Sequence, residues 1–151
     1  MGVKIITENR KAGFHYHFLE TVEAGLVLTG SEVKSLRAGF ANLGDAYAAI
    51  RNGEIFLLKC HISPYPPAAN LNHEPLRERK LLMHKTEIEK LSNKLEEKGL
   101  TLVPTKLYFK EGRAKVALAL AKGKKLFDKR ESLKKKESRR TISRAMKHKL
   151  R

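Results

Sequence analysis

The amino-acid sequence predicts a mainly β fold with a few helices (α+β): a small antiparallel barrel with flanking helices, continued by a basic C-terminal tail. Three observations predict it. Short β-rich runs recur between turn residues. Two junctions, Asn52-Gly53 and the "KEGR" stretch around Gly112, have the chemistry of tight hairpins. One amphipathic stretch, "HKTEIEKLSNKLEEKG", interposes a helix before the last hairpin. With 151 residues the chain is about one domain. It is expected to divide into a barrel domain at 1–121 and a tail at 122–151.

Taken in order, "FHYHFLETV" spaces Phe14, Tyr16 and Phe18 at the period of a strand, and "AGLVLTG" follows as a second β-rich run ended by Gly30. "SEVKSLRAG" reads as a short helix or turn, with Val33 and Leu36 on one side and Lys34 and Arg37 on the other. It is too short to stand alone and should plug or flank the sheet. In "AYAAIRNGEIFLLKCHI" two strand-like runs meet at Asn52-Gly53, a pair that tolerates positive φ at both central turn positions. The prolines and asparagines of "SPYPPAANLNHEPLRERK" make a surface loop, at whose end Arg77, Arg79 and Lys80 are expected as a second basic cluster. In the long helix Ile88, Leu91 and Leu95 share a face, Thr86 with Glu89 reads as a capping box, and Gly99 supplies the stop. "TLVPTKLYF" and "AKVALALA" form the last hairpin. About six antiparallel strands with this interposed helix point to a closed or nearly closed barrel, of which the OB type is commonest among nucleic-acid binders.

Charge narrows the function. The chain holds 32 Lys and Arg against 16 Asp and Glu, a net +16 with a pI near 10.1. Residues 122–151 alone hold 14 basic and 3 acidic groups, a net +11, against +5 for the rest. Such a run is the footprint of a polyanion binder, because Lys and Arg on phosphates release condensed counterions. Nucleic acid ranks above anionic membrane: the tail's apolar face is thin and lacks aromatic anchors. No stretch approaches the apolar length of a spanning helix, and "MGVKIITENR" lacks a signal core, so a cytoplasmic location without membrane is expected. Cys60 is the sole cysteine, which excludes an internal disulfide and a cysteine zinc cage and leaves a small apolar packing residue. His15 and His17 form the one close histidine pair and have no Asp or Cys beside them, so neither metal nor cofactor is expected. Nor is an enzyme. Cys60 and His61 are strand neighbours pointing to opposite faces, there is no phosphate-cradling glycine loop, and no carboxylate pair has acid-base spacing. An RNA-cleaving or RNA-modifying enzyme is the formal alternative.

The strings "NRKAGFHY", "VEAGLVLTGSEVKSLRAGFANL", "HISPY", "RERKLLMHKTEI", "KGLTLVPTKLYF" and "AKVALALAKGKKLFDKR", in that order and spacing, closely resemble the SsrA-binding protein family, also called small protein B. The resemblance runs from about Asn9 to Arg130, more loosely through the tail. It implies a barrel of OB type whose face holds the tRNA-like domain of transfer-messenger RNA. It also implies delivery to stalled ribosomes for trans-translation, with the tail in the empty mRNA channel, at the small-subunit rRNA of the decoding centre. Elongation factor Tu is an implied companion in the delivered complex, and the protein is expected as a monomer. A generic OB-type ribosomal or translation-factor module is the alternative reading.

Several residues match the family's RNA-contacting positions. Asn9 can meet a base edge or 2′-hydroxyl, Lys11 a phosphate, and Tyr16 can stack on an unpaired base, unless Tyr16 belongs to the core and Asn9 only turns the chain. Glu23, in "VEAG", can accept from exocyclic amines or sugar hydroxyls, orient an arginine, or be an ordinary strand glutamate. Lys34 and Arg37, three apart, can straddle a phosphate or form a solvated face. Leu82 can pack under RNA or belong to the core, and His84 can stack or hydrogen-bond. Lys115, Lys122, Lys124 and Lys125 make a basic track leading to the family's Asp128, Lys129 and Arg130, with Phe127 where the family often has His or Tyr.

In the tail, Lys134, Lys135, Arg139, Arg140 and Lys147 are expected to meet rRNA. Ile142, Ala145, Met146 and Leu150 share one helical face, with Ala145 smaller than is usual in the family. The tail is expected to be disordered when free and helical when bound to the ribosome, because like charges and shortness oppose an isolated helix.

Overall fold

The computed structural model describes residues 3–123. Strand β1 (Val3–Glu8) leads through a one-turn helix α1 (Ala12–His15) into the long β2 (Tyr16–Leu26). Helix α2 (Gly30–Arg37), the two-residue β3 (Ala41–Asn42), the hairpin β4 (Tyr47–Arg51) and β5 (Glu54–Leu58), and the short β6 (His61–Ile62) follow. A 3-10 helix at Pro66–Leu71 precedes β7 (Arg79–Leu82), helix α3 (Lys85–Lys98) and the terminal hairpin β8 (Thr101–Lys110) and β9 (Arg113–Gly123).

The main sheet runs β1-β8-β4-β5-β7-β2-β9, and β9 pairs back onto β8. Six antiparallel strands therefore close a ring, while β1 lies along the part of β8 that β4 leaves uncovered, Val3 opposite Lys110 and Glu8 opposite Lys106. This is the OB-like barrel with flanking helices that the sequence predicts. Closure leaves few open edges and buries Leu36, Ile55, Leu81, Leu102, Leu107 and Leu118 in one interior.

Both hairpin turns form where expected. Asn52 and Gly53 take φ of 51° and 76°, and Glu111 and Gly112 take 53° and 76°. Gly99 ends α3 in the left-handed region at φ 58°, and Ile88 and Leu91 are buried with Leu95 packed beside them, so the amphipathic face covers the core.

Other expectations change. The two N-terminal runs are one strand up to Leu26. Phe14 falls in α1, so the alternation holds only for Tyr16 and Phe18, and a register shift before Glu20 interrupts the strand beyond them. Gly30 opens α2 rather than ending a strand, because Thr29 and Glu32 form a capping box around it. The box expected at Thr86 is absent: extended His84 starts α3 two residues earlier and makes no capping hydrogen bond. Strand β7, the sixth member of the ring, comes out of the segment read as loop.

The last change turns on charge. Arg79 and Lys80 lie in β7, and the Arg79 side chain is 0% exposed. Its Nε donates to Oε2 of Glu32, also 0% exposed, and its Nη1 donates to the Cys60 carbonyl at 2.7 Å. Arg77 donates from Nη2 to Oε1 of Glu32 at 2.6 Å, and the Thr29 N–H reaches the same oxygen at 2.9 Å. Lys80 pairs with Glu54 at 3.4 Å. The trio Arg77, Arg79 and Lys80 is thus no free basic cluster; two of its members hold a buried carboxylate.

Burial alone would raise the Glu32 pKa, but hydrogen bonds from Arg77, Thr29 and Arg79 outweigh it and bring it to about 2. A depressed folded-state pKa adds stability above the unfolded value of 4.5 that is lost as pH falls towards 2. Urea denaturation of Glu32→Gln should show lower stability at neutral pH and a smaller decline over that acid window. Arg79→Met, which strands a buried carboxylate, should cost about 3 to 5 kcal/mol, and a decline as steep as wild type's in Glu32→Gln would contradict this account.

Candidate nucleic-acid interface

Strand register assembles the main cleft. Gly25 in β2 stands opposite Leu82 of β7 on one side and Lys115 of β9 on the other. A Cβ at Gly25 would lie 3.3 Å from Leu82 Cβ and 3.7 Å from Lys115 Nζ, so the glycine lets both neighbours close over its backbone. Glu23 follows the pleat on the same strand, and His84 arrives through the extended residue that starts α3. Glu23, Gly25, Leu82, Met83, His84, Glu87 and Lys115 line a cleft of about 410 Å3. Four residues singled out in the sequence, Glu23, Leu82, His84 and Lys115, thus meet from three separate strings. Leu82 is 56% exposed and projects from the barrel, which resolves its alternative of core or surface.

The electrostatics of this cleft are set by Glu23. Its Oε2 accepts a short hydrogen bond from the Tyr108 hydroxyl and lies 3.6 Å from Lys110 Nζ. The Tyr108 hydrogen bond is the largest cause holding its carboxyl below the usual range; burial works the other way, and Lys110 and Lys115 add to the lowering. Tyr108 is pushed above its ordinary range, first by burial and then by Glu23. The result is an ionised, oriented acceptor beside two ammonium groups. Sequence reasoning missed Gly25, Tyr108 and Lys110. A glycine inside a strand run was the signal available for the first, whereas the other two depend on register: Tyr108 faces Lys115 across the β8–β9 ladder.

A second cleft of about 430 Å3 lies at the other end of β2, lined by Asn9, Lys11, His15, Tyr16, Asp45 and Thr101 among others. Tyr16 and Glu23 are seven residues apart, or about 23 Å of strand. The Asn9 amide donates to the carbonyls of Leu43 and Pro104, each at 3.1 Å, so its donors tether β1 to the barrel. Half-buried Tyr16 packs on Ala12, Val103, Ala119 and Ala121, with the rest of its ring at the cleft. The core reading of Tyr16 is therefore partly realised. Lys11 is exposed, and Lys122 stands opposite His17 at this end.

Lys34 and Arg37 are exposed on α2 and line neither cleft; Lys34 Nζ sits 5.7 Å from the Tyr65 ring centroid. Lys124, Lys125, Asp128, Lys129, Arg130, Lys134, Lys135, Arg139, Arg140, Ile142, Met146 and Lys147 lie outside the described residues. Among the described residues no group of three His, Cys, Asp or Glu could hold a metal ion, and no helix is long and apolar enough to cross a membrane. Cys60 is buried, and burial pushes its thiol up to about 11 against the opposing pull of Arg79.

The family model described as SmpB protein matches residues 6–148. The SsrA-binding protein of Pelotomaculum thermopropionicum is 57% identical over 151 residues, covering 100% of this chain and 99% of that one. That of Thermosynechococcus vestitus is 59% identical over 146 residues, covering 96% of each. A solved structure described as "tmRNA-SmpB: a journey to the center of the bacterial ribosome" aligns with a TM-score of 0.69 and 49% identity, over 84% of this chain and 93% of the other. With a family match spanning nearly the whole length and the fold shared, this chain belongs to the SmpB, or SsrA-binding protein, family.

Proposed function

We propose that this protein binds the tRNA-like domain of transfer-messenger RNA and delivers it to stalled ribosomes for trans-translation in the cytoplasm. The observation that carries the reading is the convergence of Glu23, Leu82, His84 and Lys115 on one cleft. Lys115 and Lys110 supply charge for phosphate, and Leu82 an apolar projection. Glu23 supplies what cations cannot: an acceptor that distinguishes base amines and ribose hydroxyls from phosphate oxygens. The cleft at Asn9, Lys11 and Tyr16 extends the contact along the same strand. The tail from Asp128 onward is assigned to the ribosome, where rRNA phosphates neutralise its positive charge and let Ile142 and Met146 form a helical face in the mRNA channel. The described surface offers binding chemistry and no assembled catalytic group.

Gel shifts with transfer-messenger RNA and ordinary tRNA as separate probes test the reading: the first should bind more tightly, and more weakly with rising salt. Equal affinity would favour a generic OB-type module. Tyr108→Phe keeps the ring but removes its hydrogen bond to Glu23, so affinity should fall about fivefold, the worth of roughly 1 kcal/mol. Since Tyr108 depresses the Glu23 pKa, that variant should also lose binding at a higher pH than wild type on acidification; an unchanged pH profile would remove Glu23 from the contact.

For the tail, truncation after Arg130 should leave the barrel folded and most RNA affinity intact while abolishing peptide tagging on stalled ribosomes. Replacing Ile142 and Met146 with Asp should do the same, and replacing them with Leu should not. Tagging at the full rate by the truncated protein would reduce the tail to a non-specific RNA anchor.

A further inference from the structure

Beside the Glu23 cleft, and sharing Gly25, Leu82 and Lys115 with it, lies another of about 310 Å3 whose remaining residues no functional reading has used. Its inner surface is apolar, made by Leu26 at the end of β2, Leu28 just beyond it, Val33 of α2, Phe109 of β8 and Ala114 of β9. Arg113 and Lys115 stand at its edge. Arg113 opens β9 directly after the Glu111-Gly112 turn and is exposed, so its guanidinium is available at the mouth. Leu82, 56% exposed, forms the partition between the two clefts. An aliphatic side chain that projects between a polar cleft and an apolar one, both rimmed by cations, has the form of a wedge.

We propose that this apolar cleft receives one unpaired nucleobase, splayed out of the same RNA, with its flanking phosphates on Arg113 and Lys115 and Leu82 inserted between it and the nucleotide read by Glu23. The inference rests on the RNA-binding reading of the Glu23 cleft and adds a subsite to it. The chemistry favours a base over an apolar peptide. An internal nucleotide presents a flat π-face that stacks on apolar groups and has a phosphate on either side, which matches an apolar pocket with two cations at its rim, and aromatic or aliphatic faces accept any base. The volume falls at the small end of the range of ligand sites, suited to one planar group. Continuity matters as well, because a chain crossing the Glu23 cleft passes Lys115 into this one without leaving the protein surface.

The test uses full-length protein and the tRNA-like domain of transfer-messenger RNA. Ala114→Leu fills the apolar cleft without altering charge, and Arg113→Gln removes the rim cation at an exposed position where folding is not at risk. Ala114→Leu should lower affinity about tenfold, the scale of one stacked base, and should expose one unpaired nucleotide to base-modifying reagents in the complex. Arg113→Gln should weaken binding and reduce the slope of log affinity against log salt by about 1. Circular dichroism melts check that both variants fold. If Glu23→Gln weakens binding while Ala114→Leu and Arg113→Gln bind as wild type with an unchanged footprint, the subsite is refuted and the RNA-binding reading stands. If the wild type itself prefers transfer-messenger RNA no more than ordinary tRNA, both fall. Unchanged RNA affinity in Ala114→Leu together with an altered sedimentation coefficient would assign the cleft to a second copy of this chain, and so overturn the proposal.

Discussion

The structure depends on one buried carboxylate. Glu32 takes hydrogen bonds from Arg77, Arg79 and Thr29 at a point where the side chains of Glu32 and Arg79 are both inaccessible to water. A single buried charge would be costly, and its cost is offset only because every partner is in place together. Arg79 extends the cluster through its Nη groups to the carbonyls of Cys60 and Pro75, joining α2, β7 and the chain on both sides of the 3-10 helix. Beside it, His73 donates from Nε2 to the Ile62 carbonyl and shares a hydrogen bond between Nδ1 and the Ser31 hydroxyl, both at 2.8 Å. Helix α2 is thus held by polar contacts where its eight residues would not persist alone.

That anchoring extends to the clefts around Gly25. Arg79 and Leu82 are three residues apart on β7, so the cluster that fixes Arg79 also fixes the strand from which Leu82 projects. Val33 follows Glu32 directly in α2 and lines the apolar cleft. The geometry of both clefts around Gly25 therefore rests on a salt bridge that touches neither of them. Ring closure contributes as well: β9 pairs with β2 along most of its length and with β8 on its other edge, and this brings Tyr108 across to Glu23.

A carboxylate beside lysines in a protein of net +16 needs a reason to remain in the cleft. Tyr108 and Lys110 provide one on the protein side, since they hold Glu23 ionised and oriented before any ligand arrives. Such preorganisation lowers the ordering cost of the contact. On the proposed reading, distributed lysines would set affinity and salt dependence, and one fixed acceptor would set what is tolerated between them.

Sequence alone determined the barrel class, both hairpin turns, the amphipathic face and stop of α3, and the concentration of charge after residue 121. The turns, the helix and the charge are each written in neighbouring residues: positive φ at Asn52-Gly53 and Gly112, the spacing of Ile88, Leu91 and Leu95, a run of lysines; the number and order of such elements point to the class. The strings around Glu23, Leu82, His84 and Lys115 were legible too, one at a time. Tertiary structure alone decided that Gly25 stands between Leu82 and Lys115, that Tyr108 reaches Glu23, and that Arg79 is a buried partner of Glu32 rather than a solvated cation. Those relations join residues 47 to 90 positions apart through strand register and ring closure, and neither is encoded in local propensity. A basic residue at a loop's end looks solvated until a carboxylate from a distant helix is packed against it, because burial and pairing belong to the assembled barrel.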